Sequence, residues 1–192
     1  MNTTPITREQ WLEAAVAVVV ATYPAIEIPP VKVSCSWPGG GSARKRIGEC
    51  WSRAASQARV NEIFISPKLE DPAQVVSVLV HEVAHAIDDC KNGHKAGFVK
   101  IGKSLGLEGK ATQMGLPTAK AAELAQQVIE KAGAFPHRRL DMSSRKKKAT
   151  YMLKCECGDC GAIFRLTQKV VDMLDGEAMA CPICRAENVT VS

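Results

Sequence analysis

The sequence predicts an α+β protein with a small sheet and a histidine-bearing helix, followed by a small C-terminal unit built around four cysteines. Three observations predict this arrangement. Short segments in which apolar and polar residues alternate stand between segments with helix-capping signals. One predicted helix carries the pattern His-Glu-x-x-His, and two Cys-x-x-Cys pairs stand near the chain end. With 192 residues, of which 46% are hydrophobic, the chain is long enough for one moderate domain and a second, smaller unit.

The first part of the chain predicts one helix and three strands. Thr7 and Gln10 match a capping box that would start the helix, and Tyr23-Pro24 would stop it. Three later segments are rich in apolar and β-branched residues and predict the strands of a small antiparallel or mixed sheet. The helix is predicted over residues 11–22, and the strands over 31–35, 47–51 and 60–65.

The next predicted helix begins with strong capping signals. Asp71 can cap it, Pro72 suits the first helical position, and Gln74 stands where a capping box places an amide. Valine and leucine residues at helical spacing follow, and they predict a wide apolar face. Asn92-Gly93 predicts the end of this helix, because glycine readily adopts the left-handed conformation of a helix stop.

His81, Glu82 and His85 form the His-Glu-x-x-His pattern within this helix. Residues four apart are separated by about 400° of rotation and about 6 Å of rise, so both imidazoles can reach one metal ion. Glu82 could take a proton from zinc-bound water, whose pKa the metal lowers to about 7, and pass it to a leaving amine. A chance match on an exposed helix is the alternative, and the scarcity of histidine, four residues in the chain, disfavours it.

A catalytic zinc site needs a third protein ligand. His94 opens the next predicted helix and could fold back toward the histidine pair, whereas His137 stands much farther along the chain. His94 is therefore the favoured third ligand. Three carboxylates remain alternatives, and the first two could instead hydrogen-bond a ligating histidine: Asp88, Asp89 and Glu108.

The two Cys-x-x-Cys pairs predict a second, structural zinc site. The pairs are Cys157 with Cys160 and Cys181 with Cys184, and the 20 residues between them match a four-cysteine zinc site. A unit this small has too little core to fold securely without such a staple. Cys155 has the wrong spacing to join either pair. A redox role would require an isolated pair at a helix start, so it is disfavoured.

Charge and composition divide the chain into three parts. An alanine-rich helix is predicted over 118–131, and Pro136 follows it. The predicted parts are a larger domain over 1–134, a basic linker over 135–150 and a zinc ribbon over 151–192. Residues 137–154 carry seven basic side chains and one acidic one, a net charge of +6, against +5 for the whole chain.

This basic segment has two interpretations: it is either a solvated linker or a site of contact with nucleic acid. Lysine and arginine bind the phosphate backbone by releasing its counterions. The predicted contacts are Arg145, Lys146, Lys147 and Lys148. A second cluster, 44–46, is either an ordinary hairpin tip or another phosphate contact. The ribbon itself carries four basic and six acidic side chains, which assigns the contact to the linker.

Composition also bears on the compartment. The longest apolar run, Ala14–Ala21, is far shorter than the roughly 20 residues needed to span a bilayer. No signal-peptide design surrounds it, so a cytoplasmic, monomeric protein without membrane contact is expected. The eight cysteines are then expected as metal ligands and reduced thiols. A Cys35–Cys50 disulfide is disfavoured for the same reason.

Taken together, these motifs resemble the SprT-like family of zinc metallopeptidase-like proteins, especially its short phage and bacterial members. The resemblance spans nearly the whole chain, although Lys95 stands where relatives often have a small residue. It implies a zincin-like domain in which His81, His85 and His94 bind zinc and Glu82 is the catalytic acid/base. It also implies that a sheet edge aligns an extended substrate beside the metal helix. The matching segments are 46–51, 61–67, 79–86, 93–94 with Phe98, 105–109 and the terminal ribbon.

The expected function is therefore zinc-dependent peptide hydrolysis, directed at proteins associated with nucleic acid. In the resembled family, the eukaryotic Spartan members cleave proteins crosslinked to DNA. The alternative is a non-catalytic, zinc-binding adaptor on nucleic acid whose histidine site is structural or vestigial. By chemistry alone, Tyr151 and His137 are candidates for stabilising an oxyanion. A phage-encoded version would act in the host cytoplasm.

Overall fold

The structure, a computed structural model, describes residues 6–39, 46–141, 152–174 and 176–192. It divides into two compact units, Met1–Asp141 and Met142–Ser192, which are described separately below. These described residues form a mixed α+β structure with two small three-stranded sheets, and the α+β class is as the sequence predicts. None of the helices formed by the described residues is long and apolar enough to cross a membrane.

The described residues of the N-terminal unit form four α-helices and one three-stranded sheet. Thr7 caps the first helix through a complete capping box with Gln10, so the helix begins at Arg8, earlier than predicted. Asp71 caps the second helix, with Pro72 at its start, as predicted. The elements are α1 (Arg8–Thr22), β1 (Val31–Cys35), β2 (Gly48–Trp51), β3 (Asn61–Ile65), α2 (Pro72–Ile87), α3 (Ala96–Ser104), a 3₁₀ turn (Ala111–Gln113) and α4 (Ala119–Ala132).

The sheet of this unit is mixed, with strand order β1-β3-β2. The central strand β3 pairs in parallel with β1 and antiparallel with β2. Because successive side chains of a strand point to opposite faces, one face of the sheet packs toward the helices. On this face Ile63 is fully buried and stands opposite Val33 and Cys50. Among the described strands of the unit, β2 pairs on one side only and forms a sheet edge.

Helix α2 is the centre of the core. The sequence predicts an amphipathic helix, but α2 is buried almost all round, including Leu79 and Val83 at 0% exposure. The cause is tertiary, since the sheet and the other three helices all pack against it. Each fully buried valine or leucine side chain contributes about 1.5–3 kcal/mol to folding. The His-Glu-x-x-His pattern therefore stands on the helix with the most buried residues among those described in this unit.

The predicted end of α2 at Asn92-Gly93 is wrong. The helix ends at Ile87, because Asp89 and Cys90 adopt left-handed backbone conformations with φ of 54° and 61°. The Asp89 carboxylate fixes this turn by accepting hydrogen bonds from Arg53 N at 2.8 Å and Asn61 Nδ2 at 3.1 Å. As a result, His94 lies in the loop before α3 and not in the first turn of that helix.

The described residues of the C-terminal unit form one short helix and an antiparallel sheet, whose strands lie in the order β5 (Ile163–Thr167), β4 (Met152–Cys157) and β6 (Val189–Val191). Cys155 is fully buried on β4 opposite Phe164, where it acts as a small core residue. Thr167 caps the short helix. The elements are β4 (Met152–Cys157), β5 (Ile163–Thr167), α5 (Gln168–Asp172) and β6 (Val189–Val191).

Candidate metal centres

Three histidines converge on one point in the N-terminal unit. His81 and His85 project from one face of α2, one turn apart, and His94 reaches them from the loop before α3. The Nε2 atom of His94 lies 3.1 Å from His81 Nε2 and 3.3 Å from His85 Nε2. The chain thus brings together the two histidines of the helical pattern and the favoured third ligand.

The spacing of these nitrogens fits a metal ion. Tetrahedral zinc with bonds of 2.0–2.1 Å to nitrogen places its ligand atoms about 3.3–3.4 Å apart. One shared proton could account for one close pair of nitrogens, but here a single Nε2 approaches two others, an arrangement that suits a central cation. The group could therefore hold a metal ion, and its geometry is compatible with zinc.

Burial keeps two of the histidines in the form that binds metal. Burial lowers the pKa of His81 to about 3, helped by the proximity of His85 and His94. It also lowers the pKa of His85 to about 4, with His94 adding to the effect and Asp88 opposing it. At neutral pH both rings are uncharged, and neutral imidazole is the ligand form.

Phe98 packs against all three histidine rings. It is fully buried on α3, and its ring stacks on His85 with centroids 4.2 Å apart. Its centroid lies 4.8 Å from that of His81 and 5.2 Å from that of His94. Phe98 therefore restricts the rotation of the three rings. In the sequence Phe98 is an apolar position at helical spacing and part of the family resemblance around Gly93-His94, and neither observation indicates its contact with the histidine rings.

Glu82 lies in the wall of the same site. It is 5% exposed, and burial raises the pKa of its carboxyl to about 8, with Cys90 and Glu49 adding to the effect and Arg46 opposing it. Gly48 of β2 packs against Glu82 Oε1. Glu82 and the histidines line a cavity of about 460 Å³, together with residues from β2 and the segment around the 3₁₀ turn.

The predicted carboxylate alternatives lie outside the histidine cluster. Asp88 accepts a hydrogen bond from Asn92 N through Oδ2, and Asp89 binds Arg53 and Asn61. Glu108 is exposed. Within the described ranges these carboxylates make no recorded hydrogen bond to His81 or His85, so the predicted support of a ligating histidine by Asp88 or Asp89 is not found.

Of the two residues predicted as candidates for stabilising an oxyanion, the structure describes His137 but not Tyr151. His137 binds Pro67 O through Nε2 at 2.9 Å and lies 3.3 Å from Arg8 through Nδ1. It does not line the histidine cavity, so its interactions are those of a structural residue. Tyr151 lies outside the described residues. Arg46, which the sequence marks only as one of a basic cluster, lines the cavity and forms an ion pair with Glu49 at 2.5 Å.

The four cysteines of the two pairs also converge. Cys157 Sγ lies 3.6 Å from Cys184 Sγ, and Cys160 Sγ lies 3.6 Å from Cys181 Sγ. Tetrahedral zinc with bonds of about 2.3 Å to sulfur requires about 3.8 Å between ligand atoms. The group could hold a metal ion and is compatible with zinc.

Backbone amides favour a thiolate within this cysteine group. Hydrogen bonds from the N–H groups of Cys184 and Ile183 lower the pKa of Cys181 to about 6. A thiolate is the form in which cysteine binds a metal. Cys155 does not belong to the group, in agreement with its unsuitable spacing.

The remaining predicted sites are distributed as follows. Arg145, Lys146, Lys147 and Lys148 lie outside the described residues, as do Arg44 and Lys45. All eight cysteines are free thiols, so Cys35 and Cys50 form no disulfide. Cys50 lines the histidine cavity, as does Cys90. The sequence carries no signal for this pair, since the two thiols stand 40 residues apart.

Comparisons of this chain with protein-family models, with curated proteins and with solved structures found no match. The functional argument therefore rests on the geometry of the two centres and on the motifs that form them.

Proposed function

We propose that this protein is a zinc-dependent metallopeptidase of the SprT-like, zincin type. One observation carries the proposal: three histidine nitrogens stand at the spacing of zinc ligands beside a buried glutamate in an open cavity. Metal-assisted hydrolysis needs these parts, namely ligands that leave one position open and a base within reach of the bound water. The four-cysteine group offers no such open position, so its proposed role is structural.

Each residue of the site has a defined task in this proposal. His81, His85 and His94 would hold zinc, which when bound supplies an acidified water and polarises the scissile carbonyl. Glu82 accepts a proton at its carboxylate and returns it to the leaving amine. The low-polarity surroundings of Glu82 suit this exchange, because they bring its pKa from the ordinary range of a glutamate toward neutrality. Phe98 keeps the three imidazoles oriented toward one point.

The position of the edge strand β2 supports the proposal that the substrate is a polypeptide. Residues 46–50 line the cavity, so an extended chain that paired with β2 would pass the histidine cluster. Strand addition of this kind supplies main-chain hydrogen bonds that do not depend on the substrate's sequence. The basic segment 137–154 supports the further proposal that the substrates are proteins bound to nucleic acid.

The decisive experiment is Glu82→Gln, measured on a denatured protein and on a DNA-bound protein. The variant should keep both metals and lose about 10²–10⁴-fold in hydrolysis, since the amide cannot accept the proton. Glu108→Gln, at an exposed glutamate, is the matched control and should hydrolyse like wild type. Undiminished hydrolysis by Glu82→Gln would contradict the mechanism. Zinc binding without hydrolysis by wild type on either substrate would favour the adaptor.

The nucleic-acid part has its own test. Replacing the four basic residues 145–148 by glutamine should weaken DNA binding and flatten its dependence on salt concentration. A control variant should leave both unchanged, with glutamine at four exposed lysines elsewhere: Lys100, Lys103, Lys110 and Lys131. Equal losses in the two variants would mean that net charge, and not the linker, determines binding.

A further inference from the structure

Two cysteines, Cys50 and Cys90, line the cavity that also holds the histidines. Cys50 belongs to the edge strand β2, and Cys90 to the turn that follows α2. Both line the cavity, and each thiol shifts the pKa of the other: Cys90 raises the pKa of Cys50, and Cys50 lowers the pKa of Cys90. In addition, Cys90 Sγ lies 3.4 Å from the main-chain oxygen of Cys50, to which it donates. Both residues are partly exposed, so small solutes can reach them.

The fold holds each thiol in place. Cys50 stands opposite Ile63 in the sheet, on the side that faces α2. Cys90 adopts a left-handed backbone conformation with φ of 61°, directly after Asp89 with φ of 54°. Two successive residues of this kind are rare outside glycine, and they persist where the surroundings fix them. Here Asp89 is fixed by hydrogen bonds from Arg53 N and Asn61 Nδ2.

We propose that Cys50 and Cys90 form a reversible disulfide that a peroxide generates and a thiol reductant removes. One thiolate of the pair attacks a peroxide oxygen, the O–O bond breaks, and the leaving hydroxide becomes water on protonation. The sulfenic acid that results is attacked by the second thiol, an S–S bond forms, and a second water leaves. Two thiols thus lose two electrons in total, and one hydrogen peroxide is reduced to two waters.

The crosslink would act on the histidine site through β2. A disulfide has an S–S bond of about 2.05 Å and allows only a narrow range of backbone geometries, so its formation ties β2 to the turn after α2, where Cys90 Sγ now lies 3.4 Å from Cys50 O. Gly48, two residues before Cys50, already packs against Glu82 and Val78 without spare room. Movement of β2 therefore displaces Glu82 or the substrate edge. This consequence rests on the proposed peptidase function, whereas the disulfide itself does not.

The crosslink is tested on the full, zinc-loaded chain treated with hydrogen peroxide. After alkylation of free thiols and digestion without reductant, a linked peptide pair that contains Cys50 and Cys90 should appear, about 2 Da lighter than the sum of its parts. Dithiothreitol should remove it. Cys35→Ser is the matched control, since Cys35 is a half-buried thiol on β1, and it should yield the same linked pair. Peroxide oxidation of other cysteines without this pair would overturn the proposal.

A second measurement tests regulation. Peroxide should lower hydrolysis by wild type and by Cys35→Ser about tenfold or more, reversibly, because small displacements of a catalytic group have effects of this size. Cys90→Ser, compared with its own reduced state, should show no such loss. A linked pair without any loss in wild type would overturn the regulatory role and leave the disulfide standing. Reduced wild type without hydrolysis would refute the peptidase function, while peptide mapping would still decide the crosslink.

Discussion

Gly48 of the edge strand β2 packs directly against Glu82 of helix α2. A Cβ atom at position 48 would overlap Glu82 Oε1 and would lie 2.5 Å from Val78 Cγ1. Real Cβ atoms do not approach other atoms so closely, so only glycine lets β2 lie at this depth against α2. The position of Glu82, the proposed base, therefore depends on that of β2, the strand proposed to pair with the substrate. The two can lie this close because residue 48 has no Cβ atom.

We expect Gly48→Ala to lower hydrolysis by about 10²-fold, because either Glu82 or β2 must move to admit the methyl group. Metal content at the histidine group should stay the same, since the three histidines do not contact this position. Gly115→Ala is the matched control, as its Cβ would stand at an ordinary 3.6 Å from Val78 Cγ2 on the same cavity wall. The comparison requires steady-state rates and zinc analysis of both variants. Equal rates in the two would show that the cavity tolerates movement of β2.

The third metal ligand can be assigned by zinc stoichiometry. We expect two zinc ions per wild-type chain and one for His94→Ala, because His94 Nε2 completes the spacing of the group. His137→Ala should keep two, since His137 binds Pro67 and Arg8 instead. Metal analysis after dialysis against a weak chelator gives the numbers. Two zinc ions retained by His94→Ala would point back to Asp88, Asp89 or Glu108.

Two cysteines of the C-terminal unit, Cys181 and Cys155, should respond differently to substitution. Cys181→Ser should release the zinc of this unit and expose residues 152–192 to proteolysis, because the small sheet then lacks its staple. Cys155→Ser should keep the zinc, since Cys155 lies in the core of the sheet and outside the metal group. Metal content and limited proteolysis distinguish the two. Loss of zinc from Cys155→Ser would place that thiol among the ligands.

The stability of the metal-free N-terminal unit, residues 1–141, should fall as pH rises from about 6.5 to 8. In this window the carboxyl of Glu82, whose pKa is raised to about 8, holds a proton that the unfolded chain has already lost, so rising pH favours unfolding. The lowered pKa values of His81 and His85 affect stability below about pH 6.5. There the unfolded chain binds protons that the folded protein does not, so falling pH favours unfolding.

Glu82→Gln isolates the contribution of Glu82. Without the carboxyl, the free energy of unfolding of the N-terminal unit in the presence of a chelator should stay level between pH 6.5 and 8. It should then exceed that of wild type at pH 8 by an amount on the order of a few kcal/mol. Urea unfolding at both pH values gives the comparison, with Glu108→Gln as the control that should follow wild type. A parallel decline in wild type and Glu82→Gln would mean that another group titrates.

The sequence predicted most local features correctly. The caps at Thr7 and Asp71 and the strand over 31–35 are as predicted. Such features depend on residues within a few positions of each other, where backbone geometry leaves few choices. The end of α2 was predicted wrongly because the stop signal at Gly93 is local, whereas the bonds that end the helix come from Arg53 and Asn61.

The sequence by itself therefore determined the α+β class, the two histidines one turn apart and the two cysteine pairs, because spacing along the chain fixes them. Tertiary structure decided the rest. It brought His94 rather than a carboxylate to the histidine pair, placed Phe98 against all three rings, and set Gly48 on Glu82. These relationships join elements distant in sequence, and only the packing of strands and helices around α2 determines which side chains meet.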